Sequence, residues 1–226
     1  DEAGVDIVLV GDSLGMVVLG FPDTTHVTLD HMLHHVEATA RGVKNALLVG
    51  DMPIHSYDTV EQAVQSAKKV FLAGADAVKL EGGAAQAGNI RAIVEAGIPV
   101  VGHIGLLPQK VLEEGGYKIK GKSSAEEEAL VRDVEAVAEA GACAVVVEGV
   151  TPHAARQVTV HSSIPTLGIG SGSHTCDGDV VVIHDLVGAF PWFIPAFVKP
   201  RADVAGSMTA AVKEWMEDCY TEPGSI

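Results

Sequence analysis

The stretch Ala73-Gly-Ala-Asp-Ala-Val-Lys-Leu-Glu-Gly-Gly83 carries the punctuation of a whole βα junction. A glycine stops a helix, the apolar run Ala77 to Leu80 follows almost at once, and a carboxylate and two glycines close it. The same grammar recurs in Ala96-Gly-Ile-Pro-Val and in Ala140-Gly-Ala-Cys-Ala-Val. Short runs of Val, Ile, Leu and Ala without inside/outside alternation are the mark of parallel strands covered on both faces. Working outward, the strands are expected at Ile7–Val10, Ala46–Val49, Ala77–Leu80, Val100–Ile104, Ala144–Val147, Thr166–Ile169 and Val180–Ile183. Amphipathic helices fill the gaps. Their start signals are Thr28, Thr59 with Gln62, Ser124 with Glu127, and Thr151 before Pro152; their stops are Gly42, Gly74, Gly97 and Gly141.

This βα alternation predicts an α/β fold of the (β/α)8 TIM-barrel type, as one catalytic domain over residues 1–226. Gly4 leads into the first strand as the other stops do. The chain therefore reads as opening at a helix tail, an N-terminally incomplete barrel lacking a first strand and most of a first helix. Phe190 to Pro200, with Pro191, Trp192, Phe193, Pro195 and Phe197, breaks the pattern and is expected to be a packed loop or an oligomer contact. A closing helix should follow from Asp203 to Tyr220.

Composition narrows the function classes. A net charge of −15 and the lack of a basic, aromatic-interleaved patch argue against nucleic acid and acidic membranes. No apolar run nears the ~20 residues of a membrane span, and no signal peptide opens the chain, which predicts a cytoplasmic protein. Cys143, Cys176 and Cys219 are odd in number and widely spaced, so reduced thiols are expected.

In parallel barrels the chemistry lies at the carboxyl ends of the strands. Those ends read Val10-Gly-Asp12-Ser13, Val49-Gly-Asp51, Lys79-Leu-Glu81, Val101-Gly-His103, Val147-Glu148-Gly and Gly168-Ile-Gly-Ser-Gly172. Asp12, Asp51 and Glu81 converging in one cleft would repel one another unless a cation lay among them. Oxygen donors without thiolates favour Mg²⁺ or Mn²⁺ over zinc. Taken singly, Asp12 and Asp51 also suit caps on the loops that follow. Strand periodicity puts Lys79 and Glu81 on one face with Leu80 turned to the helices. Lys79 then either neutralises an anionic substrate or developing enolate, or pairs with Glu81. His103 is a candidate hydrogen-bond donor and Glu148 a candidate acid/base; a core histidine and a helix cap are the plainer alternatives. The glycine loop 168–172 could meet an anion with its N–H groups. His31, His34 and His35 lack the Glu of H-E-x-x-H, and solvent-facing histidines are expected.

Five motifs in order, Val-Gly-Asp12-Ser13-Leu-Gly, Lys79-Leu-Glu81-Gly-Gly, Gly-His103-Ile-Gly-Leu-Leu-Pro-Gln, Gly-Gly-Tyr117-Lys and Gly-Ile-Gly-Ser-Gly, resemble the ketopantoate hydroxymethyltransferase family. The resemblance runs from about residue 2 to about residue 218. It implies transfer of a hydroxymethyl group from 5,10-methylenetetrahydrofolate to 3-methyl-2-oxobutanoate through an enolate that Mg²⁺ stabilises. The product would be 2-dehydropantoate, on the route to pantothenate and coenzyme A. By position it makes Asp12, Asp51 and Glu81 the metal-site acids. Asp12 and Ser13 become the pair at the keto acid, Asp51, Lys79 and His103 further substrate contacts, and Glu148 the catalytic proton acceptor. A homo-oligomer, in large rings, is also implied. The family's first strand, with its Thr-Ala-Tyr-Asp stretch, has no counterpart here. The related phosphoenolpyruvate mutase and isocitrate lyase enzymes are the nearest rival, but their K-K-C-G-H loop is not found. A non-catalytic barrel kept for assembly is the alternative from a different class.

Overall fold

A computed structural model describes residues 1–221. They form two compact units, Asp1–Val180 and Val181 onward. The first holds one seven-stranded parallel sheet in which the strands follow chain order: β1 (Ile7–Val10), β2 (Leu47–Asp51), β3 (Ala77–Lys79), β4 (Val100–Gly105), β5 (Ala144–Glu148), β6 (Thr166–Ile169) and β7 (Gly178–Asp179). Neighbour-to-neighbour order with every strand parallel is the winding of a (β/α)8 barrel. The helices of this unit are α1 (Leu14–Val17), α2 (Leu29–Ala40), α3 (Val60–Leu72), α4 (Ala87–Glu95), α5 (Ser124–Glu139) and α6 (Pro152–His161).

Side-chain alternation divides the unit into two packed layers. Outward residues Val10, Leu48, Val78, Leu80, Val100, Ile104, Val145 and Val147 join Met32, Val36, Val70, Ile90, Ile93, Val134, Val137 and Val158 of the helices in the larger core. Inward residues Val49, Ala77, Val101, Ala144 and Val146 pack with Ile7, Leu9, Leu167 and Ile169 in a second, smaller core. One step further along the same inward rows come Asp51, Lys79, His103 and Glu148. The polar site therefore rests on an apolar floor laid by the same strands.

Two outward positions are glycines because a helix lies against them. A Cβ on Gly50 would stand 2.4 Å from Val70 Cγ1, and one on Gly102 would stand 2.5 Å from Val137 Cγ1.

Most sequence boundaries hold within a residue or two. The seventh strand differs: pairing falls at Gly178–Asp179, with Val180 N–H donating to the Gly168 carbonyl at 2.8 Å. Asp177 sets that register, because its carboxylate accepts from Thr166 N–H at 2.9 Å and Thr166 Oγ1 at 3.0 Å. The apolar run expected to be the strand leaves Val181 and Ile183 exposed, and Ile183 opens the short helix α7 (Ile183–Leu186). The cap of α5 is Ser123, not Ser124. Ser123 Oγ accepts from Glu126 N–H, and the Glu126 carboxylate accepts from Lys122 N–H. Ser123-Ser124 followed by Glu126-Glu127 offers the capping pattern in two registers, and the extended backbone of Ser123 (φ −131°) selects the earlier one. Gly74, Gly97 and Gly141 are left-handed stops as expected, whereas Gly42 has no positive φ.

His31 is a capping partner of Thr28, and His35 Nδ1 lies 2.9 Å from the His31 carbonyl, so only His34 is fully solvent-facing. The three thiols are free. In the second unit, α8 spans Val204–Thr221 and exposes Met208, Val212, Trp215, Met216 and Tyr220. Trp192, Phe193 and Phe197 are exposed rather than packed; Pro191, Pro195 and Pro200 deprive that segment of the backbone donors a ladder needs. No helix among the described residues is long and apolar enough to cross a membrane.

The helix contact at Gly102 yields a direct test. Gly102→Val must displace α5, and urea denaturation should show a loss of about 1–3 kcal/mol or failure to fold. Unchanged stability would mean that α5 does not lie against β4 as described.

Candidate active site

Asp12, Asp51, Lys79, Glu81, His103 and Gln109 are all at least 95% buried, an unusual density of polar groups around one opening. Asp51 is the hub. Its Oδ2 accepts from Lys79 Nζ at 2.7 Å and from the Asp12 backbone N–H at 3.2 Å, while its Oδ1 is buried without a partner. The strand register places this pair side by side, since Asp51 on β2 lies opposite Lys79 on β3. The sequence left open whether Lys79 pairs with Glu81 or faces a substrate. The structure pairs it with Asp51.

Neither Asp12 nor Asp51 caps the helix that follows it. The Asp12 carboxylate accepts from Gln109 Nε2 at 2.8 Å, and Thr59, not Asp51, caps α3. The Asp12–Gln109 bond joins the loop after β1 to the loop after β4. On a flat sheet those strands would stand ~14 Å apart, so the bond also reports the curl of the sheet. Glu81 Oε2 accepts from Gln109 N–H at 3.1 Å, and Glu81 Oε1 has no hydrogen-bond partner. Ser13 is half-buried beside this group: a Cβ on Gly11 would meet Ser13 Oγ at 3.4 Å and Asp51 Oδ2 at 3.9 Å.

His103 stands between two acids. Its Nε2 is 3.0 Å from the Leu106 carbonyl and 3.4 Å from Glu148 Oε2, and its Nδ1 is 3.7 Å from Glu81 Oε1. The carbonyl requires a proton on Nε2, so Nδ1 is the lone-pair nitrogen turned toward Glu81. Glu148 is not a helix cap; Thr151 caps α6 by accepting from Ala154 N–H. Its side chain keeps 21% exposure, the most open of the acids in this set.

Electrostatics follow from burial. Burial first, then Asp51, raises the Asp12 carboxyl to about 7, against Lys79 and the Gln109 bond. Glu81 is pushed well above the carboxylate range by burial, with Lys79 opposing. Burial likewise raises Glu148 to about 8, again against Lys79 and with Asp12 and Asp51 adding. His103 is held well below its ordinary value by burial and by Lys79, which keeps the ring neutral. For Lys79 burial alone would lower the pKa, but Asp51, Glu81 and Asp12 together raise it. One ammonium thus serves a group of carboxyls that cannot all ionise together.

The cage expected of Asp12, Asp51 and Glu81 is not preassembled. Among the described residues no three His, Cys, Asp or Glu side chains are arranged to hold a metal ion. The protein's own donors stand on these acids instead: Lys79 on Asp51, and Gln109 on Asp12 and Glu81.

Residues 1–223 match the family model described as ketopantoate hydroxymethyltransferase. The chain belongs to the ketopantoate hydroxymethyltransferase family. It is 49% identical over 219 residues to the 3-methyl-2-oxobutanoate hydroxymethyltransferase of Ignicoccus hospitalis, covering 96% of this chain and 82% of that one. It is 51% identical over 219 residues to the Hyperthermus butylicus protein of the same name, covering 96% and 75%. Among solved structures, the phosphoenolpyruvate phosphomutase of Streptomyces platensis superposes with a TM-score of 0.67 at 18% identity, covering 98% of this chain and 82% of that one. A phosphonomutase-like protein of Burkholderia cenocepacia superposes at 0.66 and 16%, covering 95% and 86%. At such identities the superpositions establish the TIM-barrel-like fold that the family member shares with them.

Sequence reasoning assigned no role to Gln109 or Tyr57. Gln109 lay in a quoted motif, six residues past His103 and outside the strand-end positions. Tyr57 lies in the loop after β2, where no strand-end rule applies; its hydroxyl donates to Gln109 Oε1.

The raised carboxyls predict a pH dependence. Asp12, Glu81 and Glu148 have folded pKa values above their unfolded ones, so their favourable contribution is complete below the unfolded carboxylate range. It is lost as pH rises toward about 7 for Asp12 and about 8 for Glu148. In EDTA the melting temperature should fall as pH goes from 5 to 8. Asp12→Asn should flatten part of that fall. A melting temperature independent of pH over this window would contradict the burial of these acids.

Proposed function

We propose that this chain transfers a hydroxymethyl group from 5,10-methylenetetrahydrofolate to 3-methyl-2-oxobutanoate, yielding 2-dehydropantoate for pantothenate and coenzyme A synthesis, with Mg²⁺ as cofactor. The observation that carries the reading is the set of buried acids around Asp51, with Lys79 as the single cation, in a chain half-identical to enzymes named for this reaction. Overall the C3–H bond, both C–N bonds of the folate methylene and one O–H bond of water are broken, a C–C bond and a C–O bond are formed, and the two protons leave on the nitrogens of the released tetrahydrofolate.

The donor set suits the metal. Mg²⁺ takes one or two protein carboxylates and fills its remaining positions with water or substrate. Asp51 Oδ1 and Glu81 Oε1 are buried oxygens without partners, a costly arrangement that a cation or its water would relieve. Asp12 and Asp51 would hold the ion, with Glu81 beside them. When bound it would supply positive charge to the keto acid and to the enolate derived from it.

The remaining work falls to the chain's own side chains. Lys79, fixed by Asp51, presents a permanent charge to the substrate carboxylate or the developing enolate. Ser13, just before α1, would donate a hydrogen bond to the keto acid. Glu148 removes the C3 proton: a carboxyl whose pKa lies near 8 can take up and return a proton close to neutrality. Neutral His103, its Nε2 held at the Leu106 carbonyl and close to the Glu148 carboxyl, orients that acid without competing for its proton.

Wild-type protein with Mg²⁺ in deuterated water should exchange the C3 hydrogen of 3-methyl-2-oxobutanoate without any folate. The rate should rise with pH and level off no higher than about 8. Glu148→Gln should lose about 10²–10⁴-fold and abolish the rising limb. Proton NMR of the substrate measures this directly. No exchange by the wild-type protein, together with C–C cleavage of another keto acid, would replace the transferase reading with a lyase one.

A further inference from the structure

We propose that Gln109 is the positioning residue of this site, its side-chain amide fixing the Asp12 carboxylate for the metal and Tyr57 fixing the orientation of the amide. The inference rests on the metal-assisted reading above and adds residues that the reading does not assign.

The amide is fully specified. Its Nε2 donates to Asp12 Oδ2 at 2.8 Å and to the Met52 carbonyl at 3.0 Å, using both hydrogens. Its Oε1 accepts from the Tyr57 hydroxyl. The Met52 carbonyl can only accept, as does the Asp12 carboxylate when ionised to hold a metal, and a phenol facing the amide oxygen donates, so a flipped amide would set oxygen against oxygen twice. The same residue's backbone N–H holds Glu81 Oε2 at 3.1 Å. Gln109 thus grips two acids of the site, each by one oxygen. Asp51 is gripped the same way through Oδ2, by Lys79 and the Asp12 N–H, and keeps Oδ1 free. Three carboxylates anchored through a single oxygen are oriented without being used up. That is what the outer partners of metal ligands do.

Tyr57 is itself held firmly. Ser56 N–H and Oγ both donate to the Pro53 carbonyl, at 3.1 and 2.6 Å. Gln62 Nε2 donates to the His55 carbonyl at 2.6 Å, and Asn89 Nδ2 donates to the Tyr57 carbonyl at 2.8 Å. His55 sits at φ 64°, a left-handed conformation that a non-glycine residue keeps only when its surroundings determine it. The phenol is buried and stays protonated, because burial, Glu81 and Asp51 all raise its pKa. It is a fixed donor, and the hydrogen-bond path from it to Asp12 runs through Gln109.

Isothermal titration of Mg²⁺ into substrate-free protein tests this without reference to turnover. Gln109→Met keeps length and removes the donors, and should weaken Mg²⁺ binding about 10–100-fold. Tyr57→Phe should weaken it less. The double variant should bind no worse than Gln109→Met alone, because Tyr57 acts through the amide. Val36→Ala, in the outer core, should lower the melting temperature and leave Mg²⁺ affinity unchanged. Wild-type affinity in Gln109→Met overturns the proposal, and additive losses in the double variant overturn the role of Tyr57. Should Gln109→Met fail to fold, Tyr57→Phe with wild-type affinity overturns the relay by itself. Wild-type protein that neither binds Mg²⁺ nor exchanges the C3 hydrogen overturns the functional reading as well, whereas normal wild-type exchange with unaffected variants removes only Gln109.

Discussion

The contact between Lys79 and Asp51, 2.7 Å long and almost wholly buried, is the constraint on which the rest of the site depends. It places the only buried ammonium of the site among Asp12, Asp51, Glu81 and Glu148. The arithmetic of charge then dictates what else must be present. A carboxyl group in such surroundings keeps its proton, shares a cation or accepts strong hydrogen bonds. All three outcomes are visible: Glu148 and Glu81 shift upward, Asp51 takes the ammonium, and Asp12 and Glu81 accept from Gln109.

Much of this was legible in the sequence because a buried parallel strand imposes a strict two-residue period. Once Ala77 to Leu80 is recognised as a strand, Lys79 and Glu81 must share a face and Leu80 must oppose them. The packing of Leu80 in the helix-side core agrees. The rule fails where side chains leave the strands. Gln109 belongs to a loop whose path depends on Gly105 (φ 96°) and on the Leu106 N–H bond to the Glu148 carbonyl, neither of which periodicity encodes. The seventh strand was misplaced for a related reason. A polar residue, Asp177, fixes its pairing, and hydrophobicity pointed instead to the exposed run that follows.

Comparison with the mutase-like structures separates what the scaffold contributes from what the mouth contributes. At 16–18% identity the winding of the sheet is kept, and the requirements for that winding are generic: an apolar inner row, an apolar outer row, and glycine where a helix comes close. None of these prescribes a particular polar residue at the strand ends. The loops after β1, β2 and β4, which bring Asp12, Tyr57 and Gln109 together, are where a family can diverge without disturbing the layers beneath.

The two-layer alternation has one more consequence, which concerns errors of assembly. A slip of β3 by one residue against β2 would drive Lys79 and Glu81 beneath the helices and turn Leu80 into the mouth. An unpaired charge in that apolar layer costs several kcal/mol, far more than the same slip would cost in an all-apolar strand. The residues that make the native mouth electrostatically crowded therefore act as proofreaders of the sheet, rejecting the misregistered barrel that hydrophobicity alone would tolerate.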